Sequence, residues 1–346
     1  MSKKAKLTII IISSIVAAIL LATVICVIIG NSKNDKSQPT AELATWQSMI
    51  ADDTPLKNIV TPGAHDAGTN GLPYFVATQD KSIAEILNCG TRYLDLRIAQ
   101  DKGELKIYHG PSKGVTLQSV LDEVKTFITS NTSETLILDF QHFDEKDEPT
   151  VQHATINMIT EKLNGLLVTN NSNKDDVRFV DKLTLGQTRG KCLVVWGRDT
   201  DDIIAKDCIF QRNNDNGTRP NSVIQSYYTG SLNKKSSSNY ITKALPTYID
   251  KYLTADCTGL FVLQGQLTDG LYIFGPKFRE ATHTDNMDKY VDGLQNSDNL
   301  QYINIIMRDF VTPSKNCHIL QLNLNKDIVK ADCVTAYTQM ITDNIK

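Results

Sequence analysis

Two histidines follow short apolar segments and lie on turns, where their imidazoles could act as an acid–base pair. His65 lies in the segment TPGAHDAGT, and His109 lies in IYHGP. An unperturbed imidazole titrates near neutral pH, so one such group can remove a proton while another delivers one. A lone histidine on a loop is usually a solvated side chain, but a second one in a matching place favours a shared function.

A charged pair lies between the two histidines. The segment TRYLDLRIA places Asp95 and Arg97 two residues apart, and therefore on one face of a strand. A structural ion pair is the alternative explanation for these two side chains. Arg97 could instead offset charge on phosphoryl oxygens, while Asp66 and Asp309 are candidates to fix the histidine tautomers. The set predicts cleavage of a phosphodiester.

Eight short β-type runs alternate with segments that can form helices, which is the pattern of a parallel sheet covered by helices. We therefore predict an α/β fold, a distorted (β/α)8 barrel of the TIM type. Active sites of such barrels lie at the carboxyl ends of the strands, where both histidines and Asp309 fall. The predicted helices cover residues 82–89, 117–130 and 151–163, and the predicted strands cover residues 58–61, 92–98, 105–108, 135–140, 191–196, 223–226, 260–263 and 302–308.

The N-terminal segment is apolar enough to cross a membrane as one helix. Basic residues precede it, so the positive-inside rule predicts a cytoplasmic tail (1–6), a signal anchor (7–30), a flexible stalk (31–42) and an exported catalytic body (43–346). The alternative is a cleaved signal peptide, which would release the body as a secreted protein.

The charge balance excludes bulk electrostatic attraction as the means of binding. The chain carries 36 basic and 39 acidic residues, and three of the basic ones precede the apolar segment. We therefore expect no nucleic-acid partner, and we expect a monomer that recognises its ligand locally. Six cysteines follow the apolar segment without a C-x-x-C spacing, which argues against a zinc site and leaves both disulfides and free thiols open.

Six segments between about residues 45 and 315 carry a family resemblance. Taken together and in this order, they resemble the X domain of phosphatidylinositol-specific phospholipases C, especially the bacterial single-domain type and its X-domain-only relatives. The segments are TPGAHDAGT, GTRYLDLRIA, IYHGP, SETLILDF, TLGQTRGKCLVVW and IIMRDF. The resemblance implies a distorted TIM barrel and attack by the inositol 2-hydroxyl on its own phosphodiester, which releases diacylglycerol and a cyclic inositol phosphate.

The resemblance also implies individual roles. His65 matches the general base, oriented by Asp309, and His109 matches the general acid, oriented by Asp66. Arg97 falls where the bacterial enzymes have an arginine in place of the calcium ion of the animal signalling enzymes. Substrate-binding or supporting positions fall on Asp95, Gln141 and Arg198. Apart from the resemblance, Tyr227 is a candidate to stack on the inositol ring, and the alternative for this aromatic residue is packing in the core or rim.

The resemblance further predicts a calcium-independent enzyme without a cofactor. Tyr93 and Gln141 stand where the calcium-dependent enzymes have acidic residues, and Arg97 already supplies positive charge. Gln141 also replaces a lysine that contacts inositol in the bacterial pattern, which leaves the choice of headgroup open.

The expected substrates are phosphatidylinositol and glycosylphosphatidylinositol in a membrane. A metal-dependent glycerophosphodiesterase on the same barrel is one alternative, but it would require a Glu and Asp ligand set that the sequence lacks near the first histidines. The other alternative is a membrane-anchored binding protein that has the fold without turnover.

Overall fold

The computed structural model describes residues 2–32, 37–144, 148–170, 179–198, 200–212, 223–227, 236–254, 257–268 and 274–345. The strands are β1 (Thr61–Ala64), β2 (Tyr93–Asp101), β3 (Glu104–His109), β4 (Ser112–Thr116), β5 (Thr135–Phe143), β6 (Lys191–Trp196), β7 (Ile209–Gln211), β8 (Ile224–Ser226), β9 (Leu260–Gln264) and β10 (Ile305–Arg308). The helices are α1 (Lys3–Ser32), α2 (Ile83–Asn88), α3 (Leu117–Ser130), α4 (Glu148–Lys162), α5 (Phe179–Lys182), α6 (Leu185–Thr188), α7 (Asp201–Ile204), α8 (Ser237–Asn239), α9 (Leu245–Tyr252), α10 (Pro276–Ala281), α11 (Thr284–Gly293), α12 (Pro313–Leu320), α13 (Leu322–Asn325) and α14 (Val334–Asn344).

Eight parallel strands form a nearly closed barrel, in the order β7-β6-β5-β2-β1-β10-β9-β8. The two end strands meet through a single bridge between Arg212 and Ile224. The predicted α/β barrel of TIM type is therefore confirmed, with one weak seam between β7 and β8.

Three predicted strands differ clearly from the observed ones, and one of them, predicted from residue 302, begins at Ile305 after the 3-10 helix Leu300–Tyr302. The run at 105–108 is not a barrel strand, because β3 pairs antiparallel with β2 and then with β4 as an added hairpin. The barrel strand in its place is β7, which is only three residues long and too short to show an alternating pattern. The first strand begins at Thr61 instead of residue 58, because Leu56–Asn58 forms a 3-10 turn.

The three predicted helices are confirmed as α2, α3 and α4, although α4 begins at Glu148. Helix α3 shows how they form. The Thr116 hydroxyl accepts a hydrogen bond from the backbone N–H of Ser119 and caps the first turn. Apolar residues then recur at helical spacing on the buried face: Leu117, Val120, Leu121, Val124, Phe127 and Ile128.

The amino end of the barrel is closed by a buried ion pair. The Arg92 side chain is fully buried, and its Nε donates to Glu134 Oε2 at 2.9 Å. A second nitrogen of Arg92 donates to the carbonyl of Ala44, and the Trp46 indole N–H donates to the carbonyl of Gly90 at 2.9 Å. These contacts fix the 3-10 helix Ala41–Met49 under the barrel, at the end opposite the predicted site.

Helix α1 is long and apolar enough to cross a membrane, although a signal sequence near an N-terminus has the same features. Residues 33–36 of the predicted stalk lie outside the described residues, and regular structure resumes at Ala41. All seven cysteines lie in the described part of the chain, and each is a free thiol.

Candidate active site

The backbone of His65 is fixed where β1 and β10 end side by side. Its N–H donates to the carbonyl of Arg308 at 3.1 Å. The side-chain amide of Gln79 donates to the carbonyls of both His65 and Arg308, at 2.9 and 3.0 Å. Gln79 was not predicted, because a buried amide that bonds only to backbone has no signature in the sequence.

The imidazole of His65 is oriented by Asp309, as the neighbouring positions of the first and last strands suggested. Its Nδ1 lies 2.7 Å from Asp309 Oδ1, and since a carboxylate accepts, Nδ1–H donates. The other ring nitrogen, Nε2, therefore faces the remaining polar groups of the site and can accept a proton.

Asp309 is held from behind. The buried ammonium of Lys315 donates to the carbonyls of Asp309 and Phe310, at 3.0 and 2.9 Å, and also to Glu280 at 2.6 Å. Phe310 has a φ of +45°, a conformation that costs energy for a residue with a side chain. These hydrogen bonds hold the strained turn that aims Asp309 at His65.

His109 reaches the same site by a different route from the one predicted. It ends β3, which returns antiparallel along β2 to the level of the barrel mouth. Its Nδ1 lies 2.6 Å from the carbonyl oxygen of Val76, so Nδ1–H donates to the backbone. Val76 was missed because a carbonyl acceptor can belong to any residue type.

Asp66 lies between the two imidazoles. Its Oδ2 atom is 3.4 Å from Nε2 of His65 and 3.6 Å from Nε2 of His109. The second distance exceeds a hydrogen bond, so the hydrogen bond that orients His109 goes to the Val76 carbonyl, while Asp66, its predicted partner, lies close to Nε2. Asp66 also has a positive φ of 44°. The backbone thus directs this buried carboxylate toward the point where both Nε2 atoms converge.

Arg97 lies beside this carboxylate, a contact that the sequence did not predict. Its Nε forms an ion pair with Asp66, and its Nη2 lies 3.3 Å from His65 Nε2 and 3.6 Å from Asp95 Oδ2. Asp95 is fully buried, and its carboxylate accepts the backbone N–H of Asp66 at 3.2 Å. Asp95 thus holds the backbone of Asp66 by a hydrogen bond, and its negative charge lies close to the guanidinium of Arg97.

The charges in this cluster set its protonation. Burial opposes protonation of His65, but the carboxylates of Asp66 and Asp309 outweigh it and raise the pKa of His65 to about 9. Burial works against the charge of Asp66 as well, yet Arg97 and the two imidazoles lower its pKa. Asp66 is therefore ionised at neutral pH, whereas His65 holds a proton until the pH rises.

A divalent cation does not fit this arrangement well. His65, Asp66 and Asp95 could each offer one ligand atom, all within 4.8 Å of one another. However, the guanidinium of Arg97 already lies against the same carboxylates, so a metal ion there would meet a fixed positive charge.

Gln141 and Arg198 lie near the site but in contacts of their own. Gln141 is buried, and its amide donates to the Tyr93 hydroxyl at 3.1 Å. That hydroxyl in turn donates to Asp139 at 2.6 Å. Arg198 forms an ion pair with Glu148 at the start of α4 and donates to the Gln141 carbonyl at 3.4 Å.

Tyr227 directly follows β8, and its ring contacts a helix of the barrel. Its ring packs against Tyr248 and Tyr252 of α9, with centroids 5.1 and 4.6 Å away, and Lys251 Nζ lies 5.7 Å from it. The ring of Tyr227 thus packs on α9, and its contact with inositol stays a prediction.

The site and fold have counterparts among known proteins. Residues 54–197 match the family model described as phosphatidylinositol-specific phospholipase C, X domain. Over 216 residues the chain is 30% identical to the 1-phosphatidylinositol phosphodiesterase of Listeria monocytogenes, and this alignment covers 58% of this chain and 63% of that protein. Over 119 residues it is 49% identical to the variant-surface-glycoprotein phospholipase C of Trypanosoma brucei brucei, and this alignment covers 23% of this chain and 33% of that protein.

Solved structures agree on the fold. The phosphatidylinositol-specific phospholipase C of Listeria monocytogenes superposes with a TM-score of 0.62 at 22% identity, over 81% of this chain and 98% of that one. An enzyme of the same description from Staphylococcus aureus gives a TM-score of 0.63 at 18% identity, over 82% of this chain and 97% of that one.

The chain spans less than two thirds of the length of the curated relatives named above. The matched segment nevertheless contains every residue of the cluster except Asp309, namely His65, Asp66, Asp95, Arg97 and His109. Over residues 54–197 the chain therefore matches the phosphatidylinositol-specific phospholipase C X-domain family, and its barrel has the fold of the bacterial enzymes.

Proposed function

We propose that this protein cleaves inositol phospholipids as a phosphatidylinositol-specific phospholipase C. The observation that carries the proposal is the convergence of two imidazoles on Asp66, each pinned through Nδ1, with Arg97 alongside. The name of the Listeria relative, a 1-phosphatidylinositol phosphodiesterase, supports the same reaction.

In the proposed reaction His65 is the general base and His109 is the general acid. Neutral His65 takes the proton of the inositol 2-hydroxyl at Nε2, and the resulting oxygen forms a bond to phosphorus. The bond from phosphorus to the glycerol oxygen breaks, and Nε2–H of His109 protonates the leaving alkoxide. Arg97 offsets the charge that grows on the phosphoryl oxygens. The products are diacylglycerol and a cyclic inositol phosphate.

Both phosphatidylinositol and glycosylphosphatidylinositol offer the required free 2-hydroxyl. Gln141 does not favour one of these two substrates over the other, because its side-chain amide already donates to the Tyr93 hydroxyl. We propose that α1 is not cleaved and that the catalytic body lies on the outer side of the membrane. This orientation would favour the glycolipid as substrate. We also propose that the protein acts as a monomer.

We further propose that the reaction needs no calcium, since Arg97 lies among the carboxylates that would otherwise bind the ion. The rate on phosphatidylinositol vesicles should be the same in buffer that contains a chelator as in buffer that contains calcium. A rate that the chelator abolishes and calcium restores would contradict this part of the proposal.

Removing either imidazole tests the two roles separately. His65→Ala and His109→Ala should each lower kcat on phosphatidylinositol by about 10²- to 10⁴-fold. An inositol phosphodiester with a p-nitrophenol leaving group needs no general acid, so it should restore much of the rate to His109→Ala and little to His65→Ala.

The matched control is His153→Ala, which removes an exposed imidazole that contacts Asp202 at 2.7 Å on the outside of the barrel. It should leave both substrates unaffected. Near-normal turnover by both site variants would rule out the mechanism, and an inert wild type that binds inositol phosphates would favour the binding-protein alternative.

The pH profile tests the charge cluster. Because His65 must lose its proton to act as a base and its pKa is raised to about 9, kcat/KM should rise with pH toward that value. Asp309→Asn removes one of the carboxylates that raise this pKa, so the rising limb should move to lower pH while the plateau falls.

Asp292→Asn provides the control, because Asp292 contacts His318 Nδ1 at 2.6 Å in a similar pair outside the site. It should leave the limb in place. An Asp309→Asn profile with the wild-type limb would show that His65 does not set it.

A further inference from the structure

Only the last turns of α1 have a face that is covered by the rest of the described chain. Cys26 and Gly30 are buried, and Thr23 and Val27 are partly buried. These positions follow the spacing of one helical face. The other side chains in these turns are exposed, as at Ile28, which is 62% exposed.

The covered face of α1 contacts the loop after β1 and helix α10. The Tyr74 hydroxyl donates to the carbonyl of Cys26 at 3.0 Å. A Cβ atom at Gly30 would meet that hydroxyl and would lie 3.2 Å from the backbone nitrogen of Phe278 in α10. Glycine therefore permits the close approach, as small residues do where membrane helices pack.

The loop after β1 and helix α10 belong to the rim of the active site. Tyr74 follows β1 and lies two residues before Val76, whose carbonyl orients His109. Helix α10 follows β9 and carries Glu280, which accepts from the same Lys315 ammonium that holds the Asp309 carbonyl. The helix that could cross a membrane thus ends against the elements that support both imidazoles.

The depth of the contact in a membrane follows from the length of the apolar run. Residues 7–29 would extend about 35 Å as a helix, slightly more than the roughly 30 Å hydrocarbon core. Cys26 and Gly30 would then lie at the outer membrane interface, and the rim must lie there too.

The rim has the composition that this depth requires. Tyr74 and Phe75 form an aromatic pair, and Phe274 and Phe278 form another beside it, with ring centroids 5.2 and 5.5 Å apart. Outside α1, Phe274 is one of two large apolar side chains that are exposed in the described part of the chain. Tyrosine favours the level of the lipid headgroups, and phenylalanine on a membrane-facing surface inserts at the boundary between headgroups and acyl chains.

We propose that α1 is a docked anchor that holds the mouth of the barrel against the bilayer that α1 itself crosses. A flexible stalk would let the body take any orientation, whereas this contact fixes one. The enzyme would then act on inositol lipids of its own membrane. The proposal rests on the proposed function for its substrate, but the docking is a separate physical claim.

The docking can be measured without turnover, by fluorescence quenching in vesicles. The full chain with Phe274→Trp is reconstituted into phosphatidylcholine that carries bromine on the upper acyl carbons. The native Trp46 and Trp196 are fully buried and give a constant background. The added indole should lose most of its emission in the brominated lipid.

Two further changes test the contact itself in the same background. Gly30→Leu inserts a side chain between α1 and the rim and should remove most of the quenching. Asn31→Leu adds a similar side chain to the exposed face of the same turn and should preserve it. Both should turn over a soluble short-chain phosphatidylinositol at the parent rate, which shows that the barrel is folded.

Three results would overturn the proposal. They are an unquenched indole in a chain that stays embedded in the vesicles, equal quenching in the two leucine variants, and a mature protein whose N-terminal mass lacks α1. Absence of turnover on every inositol lipid would refute the proposed function instead, because the quenching does not depend on catalysis.

Discussion

The site depends on a carboxylate that is charged although it is buried. Asp66 has no exposed side-chain surface, and an isolated charge in that position would be expensive. The guanidinium of Arg97 makes it tolerable, and the two imidazoles share the same negative charge. Asp66 thus contributes to the raised pKa of His65, together with Asp309, and it links Arg97 to both imidazoles.

Much of the barrel and most of the site could be predicted from the sequence, because both arise from local patterns. The alternation in β2 placed Asp95 and Arg97 on one face, and the adjacency of first and last strands brought Asp309 to His65. The errors have physical causes. A three-residue strand has no detectable period, which hid β7 and made the hairpin strand β3 take its place in the barrel.

Contacts through backbone atoms could not be predicted, since they leave no mark on residue type. The carbonyl of Val76 and the amide of Gln79 fix the two histidines as firmly as the carboxylates do. For Tyr227, the residue type alone does not determine where the side chain lies. Its type suits a sugar-binding platform, but the packing of α9 decides where the ring lies.

In the proposed reaction an inositol hydroxyl, and not water, attacks the phosphodiester. Phosphorus NMR of the full-length protein acting on phosphatidylinositol in ¹⁸O-labelled water distinguishes the two nucleophiles. We expect an unlabelled cyclic inositol phosphate to accumulate first, and the label to enter only when that product is later opened. An acyclic inositol phosphate that carries the label from the first turnover, with no cyclic species before it, would show that water is the nucleophile.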